Sequence, residues 1–387
     1  MDKSPIQPHN AGQVVNCTGS VLMQIQHPPC DTGDESITQS RLEGRAFHEV
    51  TERMLVAYKP DGELVSRIQT IGSMSKDNIV ITDEIFDAAE DFANDVISDC
   101  DGMLSKMVVE QRIELDHLFP GVYGFPDVWV YDEPNNHLII WEGKYGHSLV
   151  EAFENYQNLT YVSGILEKLG IDGHQEQSLK VTMKIVQPRG FHRDGPIREW
   201  SDTAANLRAY FNIIKAAFND AYADPKCNAG PWCKTCSGRY GCETLQRSSM
   251  DALDYCGDVF DGSLSGDNLA LELRILQRAS DAIKNRLTGL EAQAISELRA
   301  GQQVPGYQLL QGTGRKRWKR DTPIEEVIMM GDMMGEDLRK PAELITPTQV
   351  IKKGVDESVI NLYSETPMTS LKLVGDDKSA KARQTFK

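Results

Sequence analysis

Long apolar runs are missing from this chain. No stretch of its 387 residues approaches the ~18 consecutive apolar residues of a membrane helix, which argues against a helical span and against a membrane partner. The opening residues, MDKSPIQPHNAGQ, contain no apolar segment of the secretory kind, so the expected location is the cytoplasm. Internal repeats and low-complexity tracts are absent as well. Positive charge is in short supply: 41 Lys+Arg face 57 Asp+Glu, for a net charge of −16, which argues against bulk attraction to nucleic acid. The deficit is uneven. From Gly301 onward 14 Lys+Arg meet 12 Asp+Glu, a net of +2, which leaves −18 for the first 300 residues.

What is present is ordinary globular material, 40% hydrophobic and 25% charged, in a chain long enough for one large domain and a smaller one. Apolar residues at helical spacing predict a helix over 36–58, and a second is predicted over 82–106 with Thr82 as its N-cap. Strands are predicted at 107–115, at 121–132 and at NNHLIIWEGKY, with Glu133–Asn136 as the turn between the last two. A helix over 149–168, a fourth strand over 178–188 and a helix over 201–223 follow. This order predicts an α/β fold, a mixed β-sheet flanked by helices. Residues 261–268, DGSLSGDN, read as a linker, and 269–300 as a long amphipathic helix. The expected division is therefore 1–260 and 261–387, the second part holding the long helix and a basic segment, RKRWKR at 315–320.

The third strand ends in Glu142-Gly143-Lys144. Side chains two apart on a strand share a face, so Glu142 and Lys144 point the same way. An antiparallel neighbour joined by a short turn brings Asp127, in GFPDVWV, beside Glu142. Two carboxylates forced together repel unless a cation lies between them. Mg²⁺ is such a cation, and an adjacent lysine can orient a water or stabilise charge on a phosphate. Upstream, His48 on a helix is a possible extra ligand; downstream, Gln157 and Tyr161 lie four apart on one helix face. Glu110, on the strand before Asp127, is a further acidic group.

Eight cysteines are present, four of them between 227 and 242. WCKTCSGRYGC sets Cys233, Cys236 and Cys242 in a C-x2-C-x5-C array, a metal-binding pattern in a cytoplasmic protein. A closed site needs a fourth ligand; Cys227 is the near candidate and Cys17 the far one. Four thiolates suit either Zn²⁺ or a [4Fe–4S] cluster.

In this order the parts resemble the PD-(D/E)xK nucleases of the RecB type, in particular their iron–sulfur branch, which includes the CRISPR-associated exonucleases and phage-borne relatives. The resemblance spans roughly residues 10–250 and rests on Cys17 in NCTGSV, His48 in LEGRAFHEV, Asp127 in GFPDVWV, Glu142 and Lys144 in IIWEGKYG, Gln157 and Tyr161 in NYQNLTY, and the three clustered cysteines. It implies a restriction-endonuclease-like fold with a four-cysteine cluster subdomain and a helical C-terminal extension. By that likeness His48, Asp127 and Glu142 bind Mg²⁺ or Mn²⁺ and Lys144 assists the attacking water. Gln157 and Tyr161 position the strand, and Cys17 joins Cys233, Cys236 and Cys242 around a [4Fe–4S] cluster. The implied activity is exonuclease cleavage of DNA ends or single strands, in phage or prophage recombination or replication inside a bacterial host cell. The implied partners are a phage recombination or single-strand-binding protein and further copies of the chain. The alternative is a non-catalytic DNA-binding or adaptor protein that uses the long helix for partners. RKRWKR, with Trp318 between its cations, adds a possible contact for phosphates and bases.

Overall fold

The computed structural model describes residues 4–32, 35–58, 65–100, 103–171, 173–256 and 266–309, with the single residues 329 and 333. Two compact units divide the chain, Met1–Leu309 and Leu310–Lys387, and the description below is of the first. The basic segment 315–320 lies outside the described residues.

Two short helices open the unit, α1 (Ala11–Asn16) and α2 (Ser20–Gln26), followed by α3 (Glu35–Ala57), α4 (Arg67–Thr70) and α5 (Asp83–Asp99). Strands β1 (Val108–Val109), β2 (Ile113–Glu114), β3 (Tyr123–Gly124), β4 (Val128–Asp132) and β5 (His137–Gly143) come next. Helix α6 (Tyr156–Leu169), the one-turn α7 (Gly173–Glu176), β6 (Lys180–Val186), β7 (Ile197–Thr203), α8 (Ala204–Ala223), α9 (Glu243–Cys256) and α10 (Gly266–Arg299) complete the order. The fold is mixed α/β.

Five strands form one sheet in the order β1-β4-β5-β6-β7, while β2 and β3 pair separately. All neighbours in the main sheet are antiparallel except β5 and β6, which are parallel and joined through α6. Alternation along the strands sorts side chains to two faces. Trp129, Leu138, Ile140, Val181, Met183 and Ile185 pack with α6 and α8 on one face. Val128, Val130, Ile139 and Trp141 pack with α3 and α5 on the other. Both faces are therefore covered by helices, as the sequence predicts.

Several boundaries differ from the sequence-based expectation, each for a local reason. The strand expected over 107–115 is broken at Glu110, whose φ of 47° cannot continue a pleat; its second half pairs with β3 instead. The helix expected over 149–168 begins only at Tyr156, where the Asn155 side chain accepts hydrogen bonds from the backbone N–H groups of Gln157 and Asn158, both at 3.1 Å. The helix expected over 82–106 stops at Asp99, though Thr82 does cap it by accepting from Ile85 N–H. Strand β7 was not anticipated. The stretch expected as a linker is already helical from Gly266, and 257–265 lie outside the described residues.

Lys184 of β6 is buried among the α5 residues Asp95 (3.2 Å) and Asp99 (2.5 Å), and Trp141 donates its indole N–H to Asp95 at 2.9 Å. This polar bolt fixes α5 against the sheet. Helix α10 packs on α9 and on the cysteine-bearing loop, where the Arg286 guanidinium donates to the carbonyls of Arg239 and Tyr240. Among the described residues no helix is long and apolar enough to cross a membrane.

Candidate functional site

The end of β5 gathers the charged residues. Val128 pairs with Trp141, so the register carried one step further sets Asp127 opposite Glu142. Asp127 sits just ahead of β4 rather than inside it. Its Oδ2 accepts the Gly143 N–H at 2.6 Å, its Oδ1 lies 3.2 Å from His48 Nδ1, and its carbonyl accepts the Glu110 N–H at 2.9 Å. The glycine between Glu142 and Lys144 has a steric purpose. A Cβ there would lie 2.8 Å from Phe47 and 3.2 Å from Phe92, so only glycine lets α3 approach closely enough to seat His48.

On the other side of Glu142, three side chains close a ring. Lys144 Nζ donates to Glu142 Oε1 at 2.7 Å and to Gln157 Oε1 at 2.9 Å, and Gln157 Nε2 donates to the same Glu142 oxygen at 2.7 Å. Glu142 Oε2 is left buried with no hydrogen-bond partner. A buried carboxylate oxygen without a donor is costly, and such an oxygen is what a cation would satisfy. Tyr161, one turn beyond Gln157, is buried against Gly124, where an added Cβ would lie 2.6 Å from its ring.

His48, Glu110 and Asp127 each present one ligand atom, and these atoms all lie within 4.8 Å of one another. Glu142 falls outside this closest set, although it was expected as a ligand with His48 and Asp127. Glu110, the further acidic group of the sequence reading, lies inside it, on the left-handed backbone that also breaks the strand. That conformation costs a non-glycine residue about 1–3 kcal/mol.

The electrostatics are those of an acidic pocket. Burial drives the Glu110 carboxyl up, Asp127 adds to the effect, and its pKa rises to about 8. Burial and then Asp127 also raise Glu142. Burial works against a charged His48, but the surrounding carboxylates, Asp127 foremost, outweigh it and push the imidazole up to about 9. Asp127 is held below the usual carboxylate range: burial opposes this, and His48, the Gly143 N–H and Lys144 overcome it. Lys144, despite burial, is kept charged by Glu142 and Asp127. Burial, followed by Glu142 and Asp127, keeps Tyr161 a neutral hydroxyl. A donor set of one imidazole and several carboxylates suits a divalent ion of the Mg²⁺ or Mn²⁺ class.

The second constellation lies on the cysteine loop. The turn after α1 is clasped to residues 226–228: Gly19 N–H donates to the Lys226 carbonyl at 2.9 Å, Lys226 N–H to Thr18 Oγ1 at 2.9 Å, and Asn228 Nδ2 to the Asn16 carbonyl at 3.1 Å. This clasp brings Cys17 to the loop. Backbone N–H groups point at three of the sulfurs, Asn228 at Cys17 (3.3 Å), Gly230 at Cys233 (3.4 Å) and Gly238 at Cys236. Burial raises all three thiols, Cys236 to about 11, and neighbouring sulfurs add to the rise. Cys227, the near candidate, also faces Cys17 and Cys242, and burial with their proximity pushes it to about 12. Cys30 faces Tyr240 and Arg239 instead. Among the described residues no three sulfurs lie within 4.8 Å of one another. The ligands of one tetrahedral ion, with bonds of about 2.3 Å, would sit about 3.8 Å apart.

A family model described as a protein of unknown function, DUF2800, matches residues 7–377. The chain belongs to the DUF2800 family. The matched span contains the carboxylate–lysine site and every cysteine of the loop. No curated protein and no solved structure matches the chain.

Proposed function

We propose that this DUF2800 chain is a divalent-metal-dependent deoxyribonuclease of the PD-(D/E)xK, RecB-like type, acting as an exonuclease on DNA ends or single strands. The observation that carries the reading is the acidic pocket of His48, Glu110 and Asp127, with Glu142 beside it joined to Lys144 and Gln157. A divalent ion held by His48, Asp127 and the neighbouring carboxylates would supply Lewis-acid activation of the scissile phosphate and of water.

The chain's own groups do the rest. Lys144, kept protonated, orients the attacking water and offers positive charge to the phosphate oxygens. Gln157 holds Lys144 and Glu142 in register. Tyr161 offers a neutral hydroxyl as a hydrogen-bond donor to the strand. In the hydrolysis a water oxygen bonds to phosphorus, the bond from phosphorus to the leaving sugar oxygen breaks, and that oxygen takes up a proton. The mixed sheet flanked by helices supports a restriction-endonuclease-like fold.

For the cysteine loop the reading is a structural [4Fe–4S] cluster on Cys17, Cys233, Cys236 and Cys242, with Zn²⁺ as the alternative. Backbone N–H groups aimed at Cys17 and Cys233 suit sulfurs that carry negative charge as ligands. A role in phage or prophage recombination or replication completes the reading.

The test is an assay on end-labelled single- and double-stranded DNA with Mg²⁺ or Mn²⁺, run beside Asp127→Ala and Lys144→Ala. Metal-dependent release of nucleotides by the wild-type protein and its loss in both variants is expected. Variants that digest DNA as well as wild type overturn the mechanism. Iron content and visible absorption after anaerobic purification decide between iron–sulfur and zinc.

A further inference from the structure

Residues 187–196, QPRGFHRDGP, join β6 to β7 at the sheet end where β5 finishes with Glu142 and Gly143. Lys144 N–H donates to the Val186 carbonyl at 2.8 Å, so this loop leaves the sheet beside the candidate active-site lysine.

The base of the loop is heavily restrained. Gln187 is fully buried, and every polar atom it has is used. Its backbone N–H donates to the Pro196 carbonyl at 2.8 Å and its carbonyl accepts from Gly190 at 3.0 Å. Its side-chain Nε2 donates to the carbonyls of Gly146 (2.5 Å) and Ser148 (2.9 Å), and its Oε1 accepts from Arg198 (2.7 Å) and from the Val150 N–H (3.2 Å). One side chain thus ties the loop to the segment that follows Lys144. Arg189 continues the brace: its guanidinium lies 4.5 Å over the Tyr145 ring and reaches Glu84 at 3.0 Å.

The tip behaves differently. Phe191 is 95% exposed, on a loop whose root is fixed. Leaving a whole phenyl ring in water forgoes its burial energy. The charged groups beside it are paired, His192 with Glu151 at 3.2 Å and Arg193 with Asp194 at 3.6 Å. A second ring at the same sheet end, Phe125, is 46% exposed two residues before Asp127.

We propose that Phe191 is a stacking platform for a nucleobase of a single strand whose phosphate lies at the acidic pocket. This deepens the nuclease reading and rests on it for the place of the phosphate. An exposed aromatic ring accepts any base face. The fixed root gives the platform a set position relative to Lys144, so the bound base would place the strand and not merely attract it.

Binding of a short single-stranded DNA carrying 2-aminopurine, measured by fluorescence quenching and anisotropy with Ca²⁺ present, tests this on the full-length protein. Wild type should bind and quench. Phe191→Ala should weaken binding about 5- to 150-fold, the fold-change that corresponds to one base–aromatic stack, and lose the quenching. Phe191→Trp should stay within about threefold, since a larger ring still stacks. Hydrolysis of thymidine 5′-(p-nitrophenyl phosphate) by the wild-type protein with Mn²⁺ reads the catalytic site separately. Quenching that depends on Phe191 without any hydrolysis upholds the platform and removes the nuclease reading. Hydrolysis by a protein whose DNA binding is unchanged in Phe191→Ala removes the platform alone. Absence of DNA binding by wild type overturns the platform.

Discussion

Gly143→Ala is a one-carbon change in the middle of the site that removes no charged or hydrogen-bonding group. The added Cβ would lie 2.8 Å from Phe47 Cε1 and 3.2 Å from both Phe47 Cζ and Phe92 Cε2. Carbon atoms rest about 3.5–4.0 Å apart, so the Phe47 ring must retreat by roughly 0.7 Å. It has little room to do so. Phe47 is fully buried, stacked on Tyr145 with centroids 5.3 Å apart and set edge-on to Phe92 at 6.2 Å. The displacement passes instead to α3, and the next residue on α3 is His48, whose Nδ1 lies 3.2 Å from Asp127. Overpacking of this kind costs about 1–3 kcal/mol of stability, and a misplaced ligand lowers metal affinity about 10- to 100-fold. Thermal unfolding and calorimetric titration with Mn²⁺ measure the two effects. Phe47→Leu in the Gly143→Ala background should recover part of both, because the two changes meet at one contact. A Gly143→Ala protein that melts with wild type and binds Mn²⁺ equally well would refute the account of why glycine separates Glu142 from Lys144.

Other consequences are open to measurement. His48 and Glu110, raised to about 9 and about 8, both hold protons at pH 7 in the metal-free pocket. Mn²⁺ must displace them, so affinity should climb as pH rises toward those values and binding at pH 7 should release up to two protons. Titrations in two buffers of different ionisation enthalpy read that number, and a result of zero contradicts the pocket's charge balance. Cys17→Ser should abolish incorporation of iron and the visible absorption that accompanies it, whereas Cys227→Ser should retain both. The reverse pattern would assign the fourth ligand to Cys227.

Much of this architecture is legible in the chain because it rests on local periodicity. Alternation marks β6, a continuous apolar run marks β5, helical spacing marks α3 and α10, and Thr82 announces the start of α5. The pairing of Asp127 with Glu142 followed from a short turn and a period of two. What escaped was set by distant partners. Glu110 adopts a positive φ without being glycine or asparagine, because Asp127 holds its N–H from across the sheet. Residues 149–155 look helical but are drawn out by Gln187 and Arg198, which take the Val150 backbone. Strand β7 alternates as IREWSDT, too polar to stand out, since much of its outward face meets water. Cys227 is legible as the near candidate for the cluster, but its approach to Cys17 is made by the clasp to residues 16–19, and nothing in the local pattern reports a contact of that range.

That clasp has a bearing on how the protein is made. Cys17 and Lys226 are 209 positions apart, yet they touch. At translation speeds of about 5–20 residues per second, the first thiol leaves the ribosome roughly 10–40 s before its partner loop exists. Closing so large a ring adds little entropy beyond that of a shorter one, so waiting, not closure, is the hazard. An inorganic centre installed at this junction would be the last part fitted, and its arrival would certify that both extremities of the sheet domain had met.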